Sequence, residues 1–276
     1  IALSRALCQA GYQITLACPQ DSWLKQNLPE GVKHVHLPMH GFFDIFSLLK
    51  LAIISRNFDL MHGHLQRGSH YIKQAAQISK TPTVYTAHST DASKHFPIDG
   101  TLIAVSEAVA IILRNKGFTN VNLVYNGVPE QQQPELTRKK IRTQLGLDDS
   151  ELAIVMLARI LPVKGHDILL DALSHLSDLP LRTFFIGSTD TSWGKELQQR
   201  VNSERLKVEF LGESNEPEKL LSAMDLLVAP SKREAISLSL IEAAGSSLPL
   251  IGSNVGGIPE VVLNGYNGIL LPSRTG

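Results

Sequence analysis

The stretch LLVAPSKREAISLSLIEAAGSSLPLIG, residues 226–252, decides the fold class. It begins with a short apolar run from Leu226 to Pro230, continues through a polar loop into a helical pattern from Leu238 to Ala244, and returns to apolar residues at Pro249 to Gly252. Such an order predicts a strand, a helix and a second, parallel strand. This strand–helix–strand unit is typical of α/β proteins.

The same alternation extends in both directions from this unit. Further strands are predicted at 13–18, 32–37, 60–63, 83–87, 102–105, 121–125, 153–157, 182–186, 208–211 and 268–271, most of them separated by helical segments. A polar stretch flanked by proline, Pro129 to Glu135, has the composition of a linker. We therefore expect an α/β fold with two Rossmann-like parallel-sheet domains, residues 1–128 and 129–276. Ligands of such sheets bind at the carboxyl ends of the strands, so the cleft between the domains is the natural site.

The composition is that of an ordinary globular protein, with 276 residues and a formal net charge of zero, so nothing overall points to nucleic acid. The two halves differ, because residues 1–126 carry 11 Lys and Arg against 7 Asp and Glu. A mildly basic first half suits an anionic acceptor or a membrane surface, although chance scatter of surface charge explains it equally well.

The two cysteines, Cys8 and Cys18, stand in apolar surroundings without a CxxC pair, which is the pattern of reduced thiols in a cytoplasmic protein. No signal peptide and no apolar run of about 20 residues is present in the sequence. The chain opens with Ile1, inside a helical pattern. We therefore expect the sequence to be truncated at its N-terminus, and at Gly276 as well.

Charged residues at two loops indicate a site for a phosphorylated, hydroxyl-rich ligand. Arg159 and Lys164 follow the strand at 153–157 and precede Gly165 and a helix, and two cations beside a helix N-terminus suit a diphosphate. Glu234 and Glu242 stand eight positions apart, one in a loop and one in the helix that follows, where both can face one ligand. The alternatives are a basic pair that caps a loop and, for the glutamates, a favourable charge at a helix start.

Two other segments leave alternatives open. Gly256 and Gly257, before Pro259, predict a tight turn that brings backbone close to the same pocket, or else a plain connection. The segment from Phe42 to Ile54 is apolar on most faces. It is interpreted either as a buried helix or as a helix that dips into the interface of a bilayer.

Histidines mark the ends of strands in the first half. His88 ends the strand at 83–87, where it could orient a hydroxyl or share a proton, or be a satisfied polar residue at a strand end. His62 and His64 are one residue apart and could face the same way. A metal site would need a third ligand, and none is evident in the sequence. We therefore expect no metal.

Seven segments of the chain, taken in order, match one known family. They are Asp59 to His64, Thr86 to His88, Val105 with Ser106, Tyr125 to Val128, Ala158 to Gly165, Ser231 to Glu242, and Gly252 to Val262 with Asn264 to Gly268. With them the chain resembles the retaining glycosyltransferases of the GT-B fold, glycosyltransferase family four. The resemblance is strong from Ala158 to Leu271 and weaker before.

The resemblance implies site residues. It places four residues in the catalytic centre: His88, Glu234, Arg159 and Lys164. It assigns donor binding to Arg159, Lys164, Ala235, Ile236, Ser237 and Glu242. Glu242 would hold the ribose, and the two cations would stabilise the leaving diphosphate. The family more often has glycine where Ser237 stands, and usually near Ser247.

The expected function is transfer of a sugar, with retention of configuration, from a nucleotide-diphosphate sugar to a hydroxyl of a saccharide or lipid-linked glycan. The donor would be a UDP- or GDP-linked hexose or a similar sugar, with no cofactor. The expected setting is bacterial surface polysaccharide or lipopolysaccharide biosynthesis, in the cytoplasm, with a peripheral contact on the inner membrane face. The alternatives are a nucleotide-sugar epimerase and a non-catalytic fragment that binds nucleotide.

Overall fold

The structure is a computed structural model that describes residues 1–128 and 135–272. The described residues form two compact units. The first comprises Ile1–Val105 and Val109–Val124, and the second comprises Ser106–Ala108 and the chain from Tyr125 onward. Most of the predicted linker, residues 129–134, lies outside the described residues.

The first unit contains two parallel sheets. Strands β1 and β2 form one, and β3-β4-β5-β6 form the other in that order. Its strands are β1 (Thr15–Cys18), β2 (Lys33–His36), β3 (Met61–His64), β4 (Thr83–Ala87), β5 (Thr101–Ala104) and β6 (Val121–Leu123). The helices are α1 (Ala2–Gln9), α2 (Trp23–Gln26), α3 (Ile45–Ser55), α4 (Leu65–Ser79) and α5 (Glu107–Asn115), whose first two residues group with the second unit, and a 3-10 turn spans Ala92–His95.

The second unit is built on one parallel sheet of six strands in the order β12-β11-β10-β7-β8-β9. The strands are β7 (Leu152–Leu157), β8 (Leu181–Ile186), β9 (Val208–Gly212), β10 (Leu226–Ala229), β11 (Leu250–Ser253) and β12 (Gly268–Leu271). The helices are α6 (Glu135–Gln144), α7 (His166–Ser174), α8 (Ser192–Glu204), α9 (Pro217–Leu221) and α10 (Leu238–Gly245), with 3-10 turns at Pro162–Lys164 and Ile258–Glu260. The predicted α/β class, with parallel sheets in two Rossmann-like units, is confirmed.

The central strands of this sheet are apolar throughout because both of their faces are covered. Along β7, Ala153 and Val155 belong to one buried cluster and Ile154 and Met156 to the other. Successive side chains of a strand point to opposite faces, so the two clusters lie on the two sides of the sheet. Burial on both sides fixes the sheet and therefore the loops at its edges.

The loops that follow β7, β10 and β11 meet at one edge of the sheet. Strand β10 lies between β7 and β11, and all three run parallel, so their carboxyl ends share that edge. The backbone N–H of Lys232 donates to the carbonyl of Val163 at 2.8 Å, which joins the first two loops. The chain order of the strands thus brings distant segments together.

Glycines make the close approach of these loops sterically feasible. Gly165 and Gly256 have φ angles of +79° and +53°, in the left-handed region. A Cβ added at Gly165 would overlap the carbonyl oxygen of Pro230, and one added at Gly256 would overlap that of Glu234. The interpretation of Gly256 as a close-approach glycine is therefore confirmed.

Helix α3 is buried on one face only. Ser47, Leu51, Ala52 and Ser55 are its buried residues, and they face α4 and β3 in the core of the first unit. The interpretation of the segment from Phe42 to Ile54 as a buried helix is wrong for the opposite face, which is apolar and exposed. Within the described ranges, no helix combines the length and apolar character that a membrane crossing needs.

His166, the first residue of α7, is a fully buried histidine. Its ring packs edge-on against Phe185, with centroids 5.0 Å apart, and neither ring nitrogen has a hydrogen-bond partner among the described residues. Burial lowers the pKa of His166 to about 4. The ring is therefore neutral near pH 7.

We expect His166 to make the protein acid-sensitive. Its pKa is lower in the folded state, so as pH falls from about 6.5 to 4 the unfolded state takes up a proton that the folded state does not. Stability is lost in this window, by up to about 3 kcal/mol. In urea unfolding at several pH values, His166→Leu should show a shallower loss than wild type. The same substitution at the exposed His175 is the control, and equal pH dependence in wild type and His166→Leu would contradict the expectation.

Substitution of Gly256 should cost more than its backbone conformation alone explains. Gly212 has a similar φ of +73°, but an added Cβ there meets nothing within 4 Å. Gly212→Ala should therefore lose about 1 kcal/mol of unfolding free energy to left-handed strain. Gly256→Ala should lose roughly 1–3 kcal/mol more, because the loop at Glu234 must also move. Chemical denaturation of both variants measures the difference, and equal losses would show that the loops are not in contact.

Candidate functional site

The ammonium group of Lys164 forms an ion pair with the carboxylate of Glu234. Lys164 ends the 3-10 turn after β7, and Glu234 lies in the loop after β10, 70 residues later. Both side chains are largely buried, with exposed fractions of 20% and 12%. Partial burial reduces solvent screening, so this pair is stronger than one on an open surface. The structure thus brings together a cation and an acid that the sequence places far apart.

Backbone groups of the loop from Glu234 to Ser237 make the contacts that hold it in place. Ala235 is buried, its N–H donates to the Glu234 carboxylate at 3.2 Å, and its carbonyl accepts from the Ser106 hydroxyl at 2.6 Å. A Cβ at Gly257 would overlap that same carbonyl. The N–H of Ala235, predicted to face the ligand, is therefore engaged by a carboxylate that belongs to the same loop.

Ser237 begins the helix that carries Glu242. Its side chain accepts from the backbone N–H of Leu240 at 3.4 Å, the geometry of an N-cap. Ile236, like Ser237, is buried. The serine that replaces the family's more usual glycine thus has a clear local role, since it satisfies a backbone donor at the start of α10.

Glu242 is half-buried on α10, and its pKa is raised. Burial is the main cause, and the negative charge of Glu218 on α9 adds to it. Removing a carboxylate from water disfavours its charged form unless hydrogen-bond donors replace the water. Ribose hydroxyls are donors of this kind, so the environment of Glu242 suits the sugar-binding role that the resemblance implies.

Arg159 is exposed at the carboxyl end of β7. No hydrogen bond or ion pair of its guanidinium is found within the described part of the chain. Lys164, in contrast, is neutralised by Glu234. The uncompensated positive charge at this end of β7 is therefore that of Arg159, which can bind phosphate in a planar, bidentate way.

Glu260 has a structural role within the second unit. Its carboxylate accepts from the backbone N–H groups of Glu107 and Ala108, at 2.7 and 3.0 Å. These N–H groups lie at the start of α5, where a negative charge is favoured. No local pattern indicates this contact, because the partners are 152 and 153 residues apart.

His88 belongs to the first unit, where it joins a network of histidines. Its Nε2 lies 2.9 Å from Nδ1 of His64, and Nε2 of His62 lies 2.7 Å from the Thr86 hydroxyl. The rings of His62 and His64 are 4.1 Å apart, so the prediction that they face the same way is confirmed. All three histidines line an apolar cavity of about 870 Å³.

Partial loss of hydration keeps these histidines neutral, although His64 is exposed overall and His62 and His88 are half-buried. The loss of hydration lowers the pKa of His62 and of His88, and it lowers the pKa of His64, together with the charges of its neighbours, to about 3. Within residues 1–128 and 135–272, no group of three or more His, Cys, Asp or Glu has the arrangement of a metal site. A neutral imidazole hydrogen-bonded to a second one suits proton sharing or hydroxyl orientation.

Two functional features escaped sequence reasoning. The hydrogen bond from His64 to His88 could have been found from register, because His64 pairs with Thr86 across β3 and β4, two residues before His88. The buried position of His166 had no signal beyond its place after Gly165.

Family models match both halves of the chain. The model described as Glycosyl transferases group 1 matches residues 137–275, which is half of the chain, and the one described as Glycosyltransferase Family 4 matches residues 1–132. Among curated proteins, a D-inositol 3-phosphate glycosyltransferase of Streptomyces bingchenggensis is 28% identical over 255 residues, 79% of this chain and 56% of its own length. An N-acetyl-alpha-D-glucosaminyl L-malate synthase of Bacillus anthracis is 26% identical over 60% of this chain and 43% of its own length. The chain thus spans about half the length of the curated relatives it matches.

Solved structures share the fold. Anabaena Alr3699/HepE, in complex with UDP and glucose, matches with a TM-score of 0.84 at 22% identity, over 94% of this chain and 78% of its own. WaaG, a glycosyltransferase involved in lipopolysaccharide biosynthesis, matches with a TM-score of 0.76 at 15% identity, over 99% and 81%. At these identities the likeness shows the fold alone, which is that of GT-B glycosyltransferases. With the two family models, it shows that the chain belongs to the group 1 glycosyltransferases, glycosyltransferase family four.

Proposed function

We propose that the protein transfers a sugar from a nucleotide-diphosphate sugar to a hydroxyl of a saccharide or lipid-linked glycan, with retention of configuration. The observation that carries the proposal is the meeting of Lys164 and Glu234 at the edge where three strands of the second unit end. A cation and an acid in contact at this edge, in a chain of this family, suit a ligand with both phosphates and sugar hydroxyls.

In this proposal, each part of the donor binds to a different group of residues. Arg159 and Lys164 hold the diphosphate, Glu242 holds the ribose, and Glu234 faces the transferred sugar. Backbone groups of the loop at Ile236 and Ser237 contact the phosphate or the sugar. Because the ammonium of Lys164 is paired with Glu234, donor phosphates would draw Lys164 toward them and leave the Glu234 carboxylate to accept from sugar hydroxyls.

The proposed reaction is a displacement on one face of the sugar. The bond from the anomeric carbon to the diphosphate oxygen breaks, and the acceptor oxygen bonds to that carbon from the same side. The acceptor proton passes to the leaving phosphate, whose growing negative charge the two cations stabilise. His88, neutral in its network, orients the hydroxyl that reacts.

The acceptor and the setting are inferred from the same family likeness. We propose a UDP- or GDP-linked donor, with support from the Anabaena relative that was solved with UDP and glucose. An acceptor in bacterial surface polysaccharide or lipopolysaccharide biosynthesis is proposed by analogy with WaaG. We also propose that the protein is cytoplasmic and makes a peripheral contact with the inner face of the inner membrane.

A panel of nucleotide sugars tests the activity. The protein is incubated with UDP- and GDP-linked sugars, with and without saccharide acceptors, and the products are separated and identified by NMR. Transfer with retained anomeric configuration supports the proposal. An epimerised donor formed without acceptor would instead identify an epimerase, and nucleotide binding without any product would identify a non-catalytic fragment.

Substitutions at the proposed donor site should strongly lower turnover without unfolding the protein. Lys164→Ala and Glu242→Ala should each lower kcat/KM by about 100-fold or more, because a charged contact to the leaving group or the ribose is lost. The matched control is Lys195→Ala, which removes an exposed lysine of α8. Circular dichroism checks the fold, and near-normal transfer by either folded variant would remove the site assignment.

Transfer should not depend on a divalent metal. In the proposal Arg159 and Lys164 supply the positive charge at the diphosphate, so activity should persist in excess EDTA. Initial rates with and without chelator measure this. Loss of activity that Mn²⁺ or Mg²⁺ restores would show that a metal carries the diphosphate.

A further inference from the structure

The exposed face of α3 is a continuous apolar stripe. Ile45, Phe46, Leu49 and Ile53 are 64%, 87%, 47% and 65% exposed. Their spacing places them within one third of the helix circumference, opposite the buried face. Phe43, just before the helix, is 91% exposed. Single exposed apolar residues are ordinary, but a stripe of five large ones marks a surface that binds something.

The stripe is held in place by the fold. Asp44 caps the helix by accepting from the N–H and the hydroxyl of Ser47, at 3.0 and 2.7 Å. The ring of Phe42 stacks on His95 and meets His70 edge-on, with centroids 5.0 and 5.2 Å away. These contacts fix the segment that precedes α3, and the neighbouring Phe43 extends from that fixed segment.

Basic side chains accompany the stripe. Helices α3 and α4, which pack together through Leu51 and Tyr71, carry Lys50, Arg67 and Lys73 and no Asp or Glu. Asp44, just before α3, has its carboxylate engaged at the helix N-terminus, and those hydrogen bonds lower its pKa to about 2. Lys50 lies on α3 at the margin of the stripe and is exposed. The surface is thus apolar at its centre, with the ammonium of Lys50, which also donates to the carbonyl of His36 at 3.0 Å, at its margin.

From this combination we infer that the α3 face docks on the interface of a bilayer that contains anionic phospholipid. Phe43 and Phe46 would enter the boundary between headgroups and acyl chains, and Lys50 would reach lipid phosphates. The inference names the surface and the lipid chemistry of the membrane contact that the proposed function includes. It rests on that proposal only for its biological purpose.

Charge favours a lipid surface over a second copy of the chain. A two-fold dimer through this face would bring the Lys50 side chains of both copies into one interface. Like charges across an interface are unfavourable, whereas anionic headgroups complement them. Helices that lie in the plane of a membrane interface typically have large apolar side chains on one face and lysine at its margin.

Vesicle binding tests the inference. The protein is sedimented with vesicles of phosphatidylcholine alone and of phosphatidylcholine with phosphatidylglycerol, without donor or acceptor. Wild type should bind the phosphatidylglycerol vesicles, and the double variant Phe43→Ser/Phe46→Ser should bind at least about tenfold more weakly. Lys50→Gln/Lys73→Gln should bind both kinds of vesicle alike. The control is Tyr266→Ser, which removes an equally exposed aromatic ring (86%) from the second unit and should bind as wild type does.

Several results would overturn the inference. The first is that wild type does not bind the vesicles, and the second is that the double variant binds them as strongly as wild type does. The third is that wild type self-associates in sedimentation velocity, the double variant does not, and neither binds vesicles. Thermal unfolding checks that the variants are folded, which their exposed positions favour. If the protein binds vesicles but transfers no sugar, this inference stands and the proposed function is wrong. If it transfers sugar but does not bind vesicles, the proposed function stands and this inference is wrong.

Discussion

The candidate site depends on one constraint, the parallel pairing of β10 with β7 on one side and with β11 on the other. Parallel strands leave their carboxyl ends at a common edge, so three loops from separate parts of the chain meet there. The hydrogen bond from Lys232 to Val163 fixes the first two loops, and the bare backbone of Gly256 lets the third approach Glu234. Side chains at this edge are therefore positioned by the sheet, whose two faces are both buried, and not by the loops alone.

In the first unit, too, the pairing of parallel strands brings distant side chains together, and here they are histidines. Pairing of β3 with β4 places His64 within hydrogen-bond distance of His88, and partial loss of hydration favours the neutral form of both rings. The same unit carries α3, whose buried face supports the core and whose other face is left apolar and open. One unit thus combines a polar cluster suited to hydroxyl chemistry with a surface suited to lipid.

Sequence patterns located nearly every strand, because apolar runs bounded by turn residues are a local signal. Strand β4 at Thr83–Ala87 has the predicted bounds. Helix α8 begins at Ser192, whereas the helical pattern in the sequence predicts a start four residues later, at Glu196. There the side chain of Thr191 caps the helix through Gly194, and a glycine in the first turn hid the start. Contacts across long separations had no local signal. The family resemblance placed Lys164 and Glu234 in one centre but did not indicate their ion pair, and no pattern indicated the contact of Glu260 with Glu107. The exposure of Phe46 was equally hidden, since a helix that is apolar on most faces does not show which face the core covers.

The contact between Lys164 and Glu234 also limits which anions can bind at this edge. An incoming anion must compete with a carboxylate that already neutralises the ammonium. Chloride or a simple carboxylic acid exchanges one unit charge for another and gains little, whereas a polyanion brings surplus charge. At the proposed donor site, the internal carboxylate would therefore discriminate against small anions before any sugar is recognised.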